Sequence, residues 1–188
     1  MQGLSHIERF ILGVSVVTIL LGLSMFSVVA YNLQGSTWGN QPSPGHCCAS
    51  LNVYYSSMDS SAVADWDNGR GAWNSSSALI WYYKVSSSPI QVYELNSSYY
   101  NWPGETVCGT NIFHNFTYCD AYINYYYVNT YGYPAGERQT ITAHELGHVA
   151  GLAHHDGCYL MNTTLASWDQ CGINTPTSDD DAGINAMY

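Results

Sequence analysis

The chain has 188 residues, of which 10% are charged and 14% are aromatic, and its formal net charge is −10 at pH 7. So acidic a surface repels nucleic acid and anionic lipid headgroups, which excludes nucleic acid as a partner. The length suits one domain with a workable hydrophobic core behind a short N-terminal segment.

The N-terminal segment contains an apolar run that is long enough to cross a membrane as a helix. Residues 10–30 carry no charged side chain, and about 20 apolar residues span a bilayer core of about 30 Å. Arg9 precedes the run and the next basic residue is Arg70, so we expect the amino terminus in the cytoplasm and the rest of the chain outside the cell. The length favours an uncleaved membrane anchor over residues 1–30. Val28-Val29-Ala30 also fits a signal-peptide cleavage site, in which case the protein is secreted.

The rest of the chain divides into a tether and a single domain. Residues 31–48 contain Gly, Pro and Ser, which is typical of a tether, and residues 49–188 form the predicted domain. Residues 59–73 predict a helix capped by Asp59 or Ser60, with one face formed by Ala62, Trp66 and Trp73.

Strands and a turn follow this helix. Residues 79–84 and 90–95 predict strands, and the aromatic and β-branched run over residues 121–129 predicts another. The turn residues between Gly132 and Gly136 release the chain into a helix that begins at about Glu137.

That helix carries the most informative motif in the chain. His144 and His148 are separated by one helical turn, so both imidazoles can point at one metal ion. Glu145 directly follows the first histidine, which places its carboxylate beside the open side of the metal. Gly151 can adopt a positive φ and end the helix, so that the chain doubles back and delivers His154 as a third ligand.

Three protein ligands leave a fourth position for water, which is the arrangement of a catalytic zinc ion. A structural zinc site is closed by four protein ligands. A histidine-rich helix end could instead cap or pack a domain, but the motif specifies too many uncommon residues to be a frequent accident.

The histidine motif, followed after a short run by Met161, resembles the metzincin clan of zinc endopeptidases, in particular its matrixin-like branch. Asp156, soon after the third histidine, leaves the snapalysin-like branch open. The resemblance implies an α/β (α+β) fold: a mixed twisted sheet with an antiparallel edge strand, a zinc helix, a methionine turn with Met161 beneath the metal, and a C-terminal helix within residues 175–188. Ser178 or Asp179 can cap that last helix.

The resemblance also bears on substrate and cofactors. It implies that the strand over residues 121–129 is the sheet edge on which an extended protein or peptide substrate lies. The second zinc site of vertebrate matrixins needs an upstream His-x-Asp element, which this sequence lacks. We therefore expect one zinc ion, held by His144, His148 and His154, and a structural calcium ion is compatible with the family.

Cysteine usage agrees with an extracellular domain. The six cysteines form an even set without zinc-finger spacing, as expected where thiols oxidise. We expect the local pairs Cys108–Cys119 and Cys158–Cys171. The pairing of Cys47 and Cys48 stays open, because adjacent cysteines bridge directly only with strain.

These features predict a zinc-dependent endopeptidase, either a single-pass membrane protein with its catalytic domain outside the cell or a secreted enzyme. Glu145 is the predicted general base, and main-chain hydrogen bonds to the edge strand near residues 122–128 are predicted to align the substrate. One alternative is a non-catalytic, zinc-stabilised module for adhesion or wall assembly. Another is an enzyme that cleaves only a partner or its own tether.

Overall fold

The computed structural model describes residues 31–39 and 48–188. The predicted membrane segment, residues 10–30, lies outside these ranges, as do residues 40–47 of the predicted tether, which include Cys47. Within the two described ranges, no helix has the length and apolar character needed to cross a membrane.

The described residues form seven strands and five helices. The strands are β1 (Asn32–Leu33), β2 (Ala49–Tyr55), β3 (Ile80–Val85), β4 (Ile90–Leu95), β5 (Gly104–Thr110), β6 (Phe116–Asn124) and β7 (Leu152–Ala153). The helices are α1 (Ser60–Asn74), α2 (Tyr125–Tyr131), α3 (Ala135–Ala150), α4 (Ala166–Asp169) and α5 (Ser178–Met187).

The central sheet has five strands in the order β3-β2-β4-β6-β5. The first four strands are parallel, and β5 pairs antiparallel with β6 at the edge. The disulfide between Cys108 and Cys119 joins these two strands at residues that are partners in the register. The mixed α/β sheet with an antiparallel edge strand and this cysteine pair are confirmed.

The predicted position of the edge strand was wrong. Tyr122 lies in β6, which is enclosed between β4 and β5, and residues 125–131 are helical. The change occurs at Asn124, whose side chain accepts a hydrogen bond from Tyr126 N and caps α2. Aromatic residues stand on both sides of this cap, so the residue types do not show where the strand ends and the helix begins.

The predicted boundary between tether and domain was also wrong. Residues 32 and 33 form β1 and pair with β7, which directly precedes the third histidine of the motif. Trp38 packs against Phe116, with 5.5 Å between the ring centroids. The part of the predicted tether over residues 31–39 therefore belongs to the folded domain.

Helix α1 forms the support for the zinc helix, α3. Its predicted face is confirmed, since Ala62, Trp66 and Trp73 are fully buried, and Asp59 caps its first turn by accepting from Ser61 N and Ala62 N. The indole N–H of Trp73 donates to Ala143 O in α3 at 2.8 Å. This contact ties the two helices at the level of the histidine motif.

The two glycines of α1 provide a matched test of this packing. A Cβ at Gly69 would overlap Thr142 and the backbone of Ala143, whereas a Cβ at Gly71 would meet nothing within 4 Å. We expect Gly69→Ala to lower the free energy of unfolding by about 1–3 kcal/mol through overpacking. We expect Gly71→Ala to raise it by up to about 1 kcal/mol, because alanine favours the helix.

Denaturant unfolding of both variants at a fixed zinc concentration measures the difference. Equal effects at the two positions would contradict the close packing of α1 on α3.

Candidate active site

Helix α3 and the turn after it bring the three predicted ligands together. Gly151 ends the helix in the left-handed conformation with φ 109°, as predicted. The short strand β7 then leads back to His154, whose Nε2 lies 3.2 Å from His144 Nε2 and 3.1 Å from His148 Nε2. Within residues 31–39 and 48–188, these three form the one group of three or more side chains that could hold a metal ion.

Hydrogen bonds at the Nδ1 atoms fix how two of the rings present their lone pairs. His144 Nδ1 lies 2.9 Å from Leu160 O, and His148 Nδ1 lies 2.8 Å from Leu152 O. Because a carbonyl oxygen can only accept, each Nδ1 carries the proton and each Nε2 keeps a free lone pair. Both rings are thus held in the tautomer that binds a metal through Nε2.

The cluster fits a zinc ion. Zinc–nitrogen bonds of about 2.0–2.1 Å in a tetrahedral site separate the nitrogens by about 3.3 Å, close to the spacings of 3.1 and 3.2 Å. Burial lowers the pKa of His148 to about 4 and that of His144 well below its ordinary value. Both rings are therefore neutral at pH 7, which is the form that ligates a metal. The calcium expectation gains no support from the described residues and stays a prediction.

Glu145 lies beside this cluster against the edge strand. Only 5% of the residue is exposed, and Thr106 of β5 donates its hydroxyl proton to Glu145 Oε2 at 2.7 Å. Gly104, also in β5, leaves the space that the other carboxylate oxygen occupies. Burial raises the pKa of Glu145 to about 8, and the Thr106 hydrogen bond opposes that shift. The carboxyl group can therefore take up or release a proton near neutral pH.

The methionine turn lies beneath α3, as predicted. Met161 is 2% exposed, and its sulfur occupies the space that a side chain at Gly147 would need. His155 N donates to Met161 O at 2.8 Å, which folds the segment after the third histidine back onto the turn. The predicted disulfide between Cys158 and Cys171 is present and braces this region.

Asp180 joins the methionine turn to the last helix. Its carboxylate accepts from Leu160 N at 3.1 Å and from Met161 N at 3.3 Å. It also accepts from the backbone and hydroxyl of Thr177, which forms a capping box with it. The predicted cap at Ser178 or Asp179 was wrong, because Thr177 caps α5. The long-range contact from Asp180 to the methionine turn has no signal in the sequence.

The histidines and Glu145 open into a cleft of about 800 Å³. β5 contributes residues 104–106, and three tyrosines, Tyr127, Tyr131 and Tyr133, line it as well. Residues 162–164, directly after the methionine, also line the cleft. Its acidic lining residues are Glu105, Glu145 and Asp169, and no lysine or arginine lines the described cleft.

The three basic residues of the described ranges are engaged elsewhere. Arg138 pairs with Asp65 at 2.8 Å, and both Arg70 and Lys84 contact Asp67. The negative charge of the cleft is therefore not balanced by a neighbouring arginine or lysine. Composition indicated an acidic protein, and the structure places part of that acidity at the candidate site.

No family model and no curated protein matches the chain. Among solved structures it is similar to myroilysin, with a TM-score of 0.43 and 14% identity over 66% of this chain and 54% of that one. It is also similar to high choriolytic enzyme 1, a hatching enzyme zinc-protease from Oryzias latipes (medaka fish), with a TM-score of 0.49 and 14% identity over 88% of this chain and 98% of that one. The chain spans about half the length of myroilysin.

The features on which the resemblance to the metzincin clan rests are present in the structure. These are the histidine motif, the left-handed Gly151 between its second and third histidines, and the buried methionine beneath the zinc helix.

We expect the purified protein to contain one zinc ion per chain, because the described residues offer one three-histidine group. Substitution of His148 by Ala should lower the zinc content to less than about a tenth, since two remaining ligands bind zinc weakly. Elemental analysis after gel filtration measures both values.

His155→Ala is the matched control. His155 packs edge-to-face against Tyr159 and is not part of the three-histidine group, so this variant should retain its zinc. A parent protein with no zinc, or with two tightly held ions, would contradict the site.

Proposed function

We propose that the chain is a zinc-dependent endopeptidase of the matrixin-like type, with its catalytic domain outside the cell. The observation that carries the proposal is the position of Glu145, a buried carboxyl group that lines the same cleft as three convergent Nε2 atoms. His144, His148 and His154 would hold the zinc ion. When bound, zinc supplies Lewis-acid polarisation of the scissile carbonyl and of a water molecule.

Glu145 acts as the general base in this proposal. It takes the proton of the attacking water and passes it to the amine that leaves. A pKa of about 8 in the metal-free protein suits a group that must both accept and release a proton, and Thr106 holds the carboxylate in one orientation. Thr106 is therefore a positioning residue for the base.

The substrate is proposed to bind in extended form along β5. This strand pairs with β6 on one side, and within residues 31–39 and 48–188 no strand pairs with its other edge. Residues 104–106 of β5 also line the cleft next to Glu145. A peptide added to this edge as a further strand would lie with its backbone beside the base and the three histidines.

An extracellular location is supported by the cysteines. Cys108–Cys119 and Cys158–Cys171 are bridged, and such bonds persist in oxidising compartments. In this proposal residues 10–30 anchor the protein in the membrane, and the alternative is a secreted enzyme released by cleavage after Ala30.

The alternative function is a zinc-stabilised module for adhesion or wall assembly. Such a module needs the three histidines but has no use for a carboxyl group buried beside them. Burying an acidic group costs free energy unless it is fully hydrogen-bonded, and one side-chain donor, Thr106, contacts Glu145. A module without catalytic activity would gain nothing from the free energy spent on burying Glu145, so the burial favours a catalytic role. An enzyme restricted to its own tether or one partner would use the same residues.

Glu145→Gln should keep the zinc and the fold but lower kcat/KM for peptide hydrolysis by about 10²–10⁴-fold, the usual contribution of a general base. Glutamine preserves the size of the side chain but cannot take up the proton. Peptide cleavage by mass spectrometry, with zinc content measured on the same samples, tests this.

Glu105→Gln is the matched control, because Glu105 lines the same cleft and its charge acts on Glu145. This variant should stay within a few-fold of the parent. Activity of Glu145→Gln within a few-fold of the parent would remove the proposed base.

The charge of the cleft predicts a substrate preference. Peptides with lysine or arginine near the scissile bond should have a several-fold higher kcat/KM than matched peptides with glutamate, and the preference should shrink at high salt. Asp169→Asn should reduce it, whereas Asp120→Asn, on β6 outside the cleft lining, should not. A preference for acidic peptides would contradict this prediction.

A further inference from the structure

Residues 31–38, which we call the N-terminal strap, run along the back of the zinc site. β1, within the strap, pairs antiparallel with β7, with Asn32 opposite Ala153 and Leu33 opposite Leu152. Gln34 N donates to Gly151 O at 2.9 Å, and the indole N–H of Trp38 donates to Val149 O at 2.7 Å. The strap thus contacts the backbone between the second and third histidines at several points from Val149 to Ala153.

Two side chains of the strap reach the backbone that orients the ligands. Gln34 Nε2 donates to Leu152 O at 3.0 Å and lies 3.2 Å from His148 Nδ1. Leu152 O is also the acceptor for His148 Nδ1, and a carbonyl oxygen can accept both bonds through its two lone pairs. Asn32 Nδ2 donates to the backbone oxygen of His154 at 2.9 Å.

The strap is itself fixed by the domain. Thr37 N donates to His114 O, and Phe116 N donates to Thr37 O, which attaches the strap to the start of β6. Tyr188 accepts from Trp38 N at 3.3 Å and donates to Ala150 O at 2.9 Å. The strap therefore has an anchored position from which it can hold the ligand-bearing segment.

The segment that carries His154 is held by strand pairing with β1 before it and by the hydrogen bond from His155 N to Met161 O after it. β1 and β7 form a separate two-stranded sheet, so among the described residues β1 is the strand partner of β7. A strand of two residues does not hold its shape alone, because its main-chain groups would pair only with water. The position of His154 relative to His148 therefore depends on the strap.

We propose that Gln34 and Asn32 are positioning residues of the zinc site, through which the N-terminal strap sets its metal affinity. Gln34 acts through Leu152 O on His148, and Asn32 acts on the backbone of His154. The inference rests on the zinc site of the proposed function, but not on peptidase activity. Contacts that orient metal ligands typically change metal affinity by about 10–100-fold when they are removed.

The test compares Gln34→Met with Gln91→Met in the full chain. Both variants replace an amide by an apolar chain of similar length, and Gln91 lies in β4, outside the cleft lining. Gln34 is exposed, and substitution of an exposed residue usually changes stability little. A change in zinc affinity would therefore not reflect unfolding.

Three measurements are made on each variant: the zinc Kd by competition with a chromophoric chelator, the visible absorption spectrum of the Co²⁺-substituted protein, and the melting temperature of the metal-free protein. We expect Gln34→Met to raise the zinc Kd by about tenfold or more and to alter the Co²⁺ spectrum, while the metal-free melting temperature stays near that of the parent. Gln91→Met should match the parent in all three.

Asn32→Leu provides a second, independent variant on the exposed side of β1, and it decides the question if Gln34→Met does not fold. A zinc Kd within twofold of the parent in the folded variants, or an equal loss in Gln91→Met, would overturn the inference. Normal zinc binding without any peptide cleavage would overturn the proposed peptidase and leave the strap inference standing. Absence of zinc binding in the parent would overturn both.

Discussion

The structure around the candidate site depends on one constraint, that three neutral imidazoles must point their Nε2 lone pairs at a single position. Lone pairs that converge within about 3 Å repel one another unless a cation lies among them, so each ring must be held by its surroundings. Two rings are turned by hydrogen bonds from Nδ1 to the oxygens of Leu152 and Leu160. These carbonyls belong to β7 and to the methionine turn, and the strap and α5 hold those two segments in place.

Two buried carboxyl groups near the site, those of Asp180 and Glu145, differ in the number of hydrogen bonds that they accept. This difference indicates different roles for them. The carboxylate of Asp180 accepts hydrogen bonds from Thr177, Leu160 and Met161, which oppose the rise of its pKa on burial. Glu145 has Thr106 as its one side-chain donor, and burial raises its pKa to about 8. A carboxylate with several fixed donors keeps its charge and serves as a brace. One with few donors exchanges its proton readily, which is what a general base requires.

Local signals in the sequence were sufficient for much of this arrangement. Helical spacing and the freedom of glycine at positive φ were enough to predict the roles of His144, His148, His154, Glu145 and Gly151. The apolar face of α1 was enough to predict that helix. β5 was missed because Gly104–Thr110 has no alternation of apolar and polar residues, although it forms the edge of the sheet. The helix after Asn124 was missed because tyrosine is common in strands. In the structure two of the tyrosines of this helix line the cleft instead. In both places the tertiary packing overrides the local preference.

The strap shows why composition alone could not define the domain boundary. Half of residues 31–38 are exposed, and the segment contains glycine and serine, as a linker does. No periodic apolar pattern marks these residues as part of a sheet. The sequence feature that indicates this pairing lies instead in β7, just before the third histidine. A third ligand placed just after a left-handed glycine needs a short segment of fixed backbone, and a two-residue strand cannot supply that without a partner. The zinc motif therefore implies a supporting segment elsewhere in the chain, and the structure identifies it as residues that precede the predicted domain.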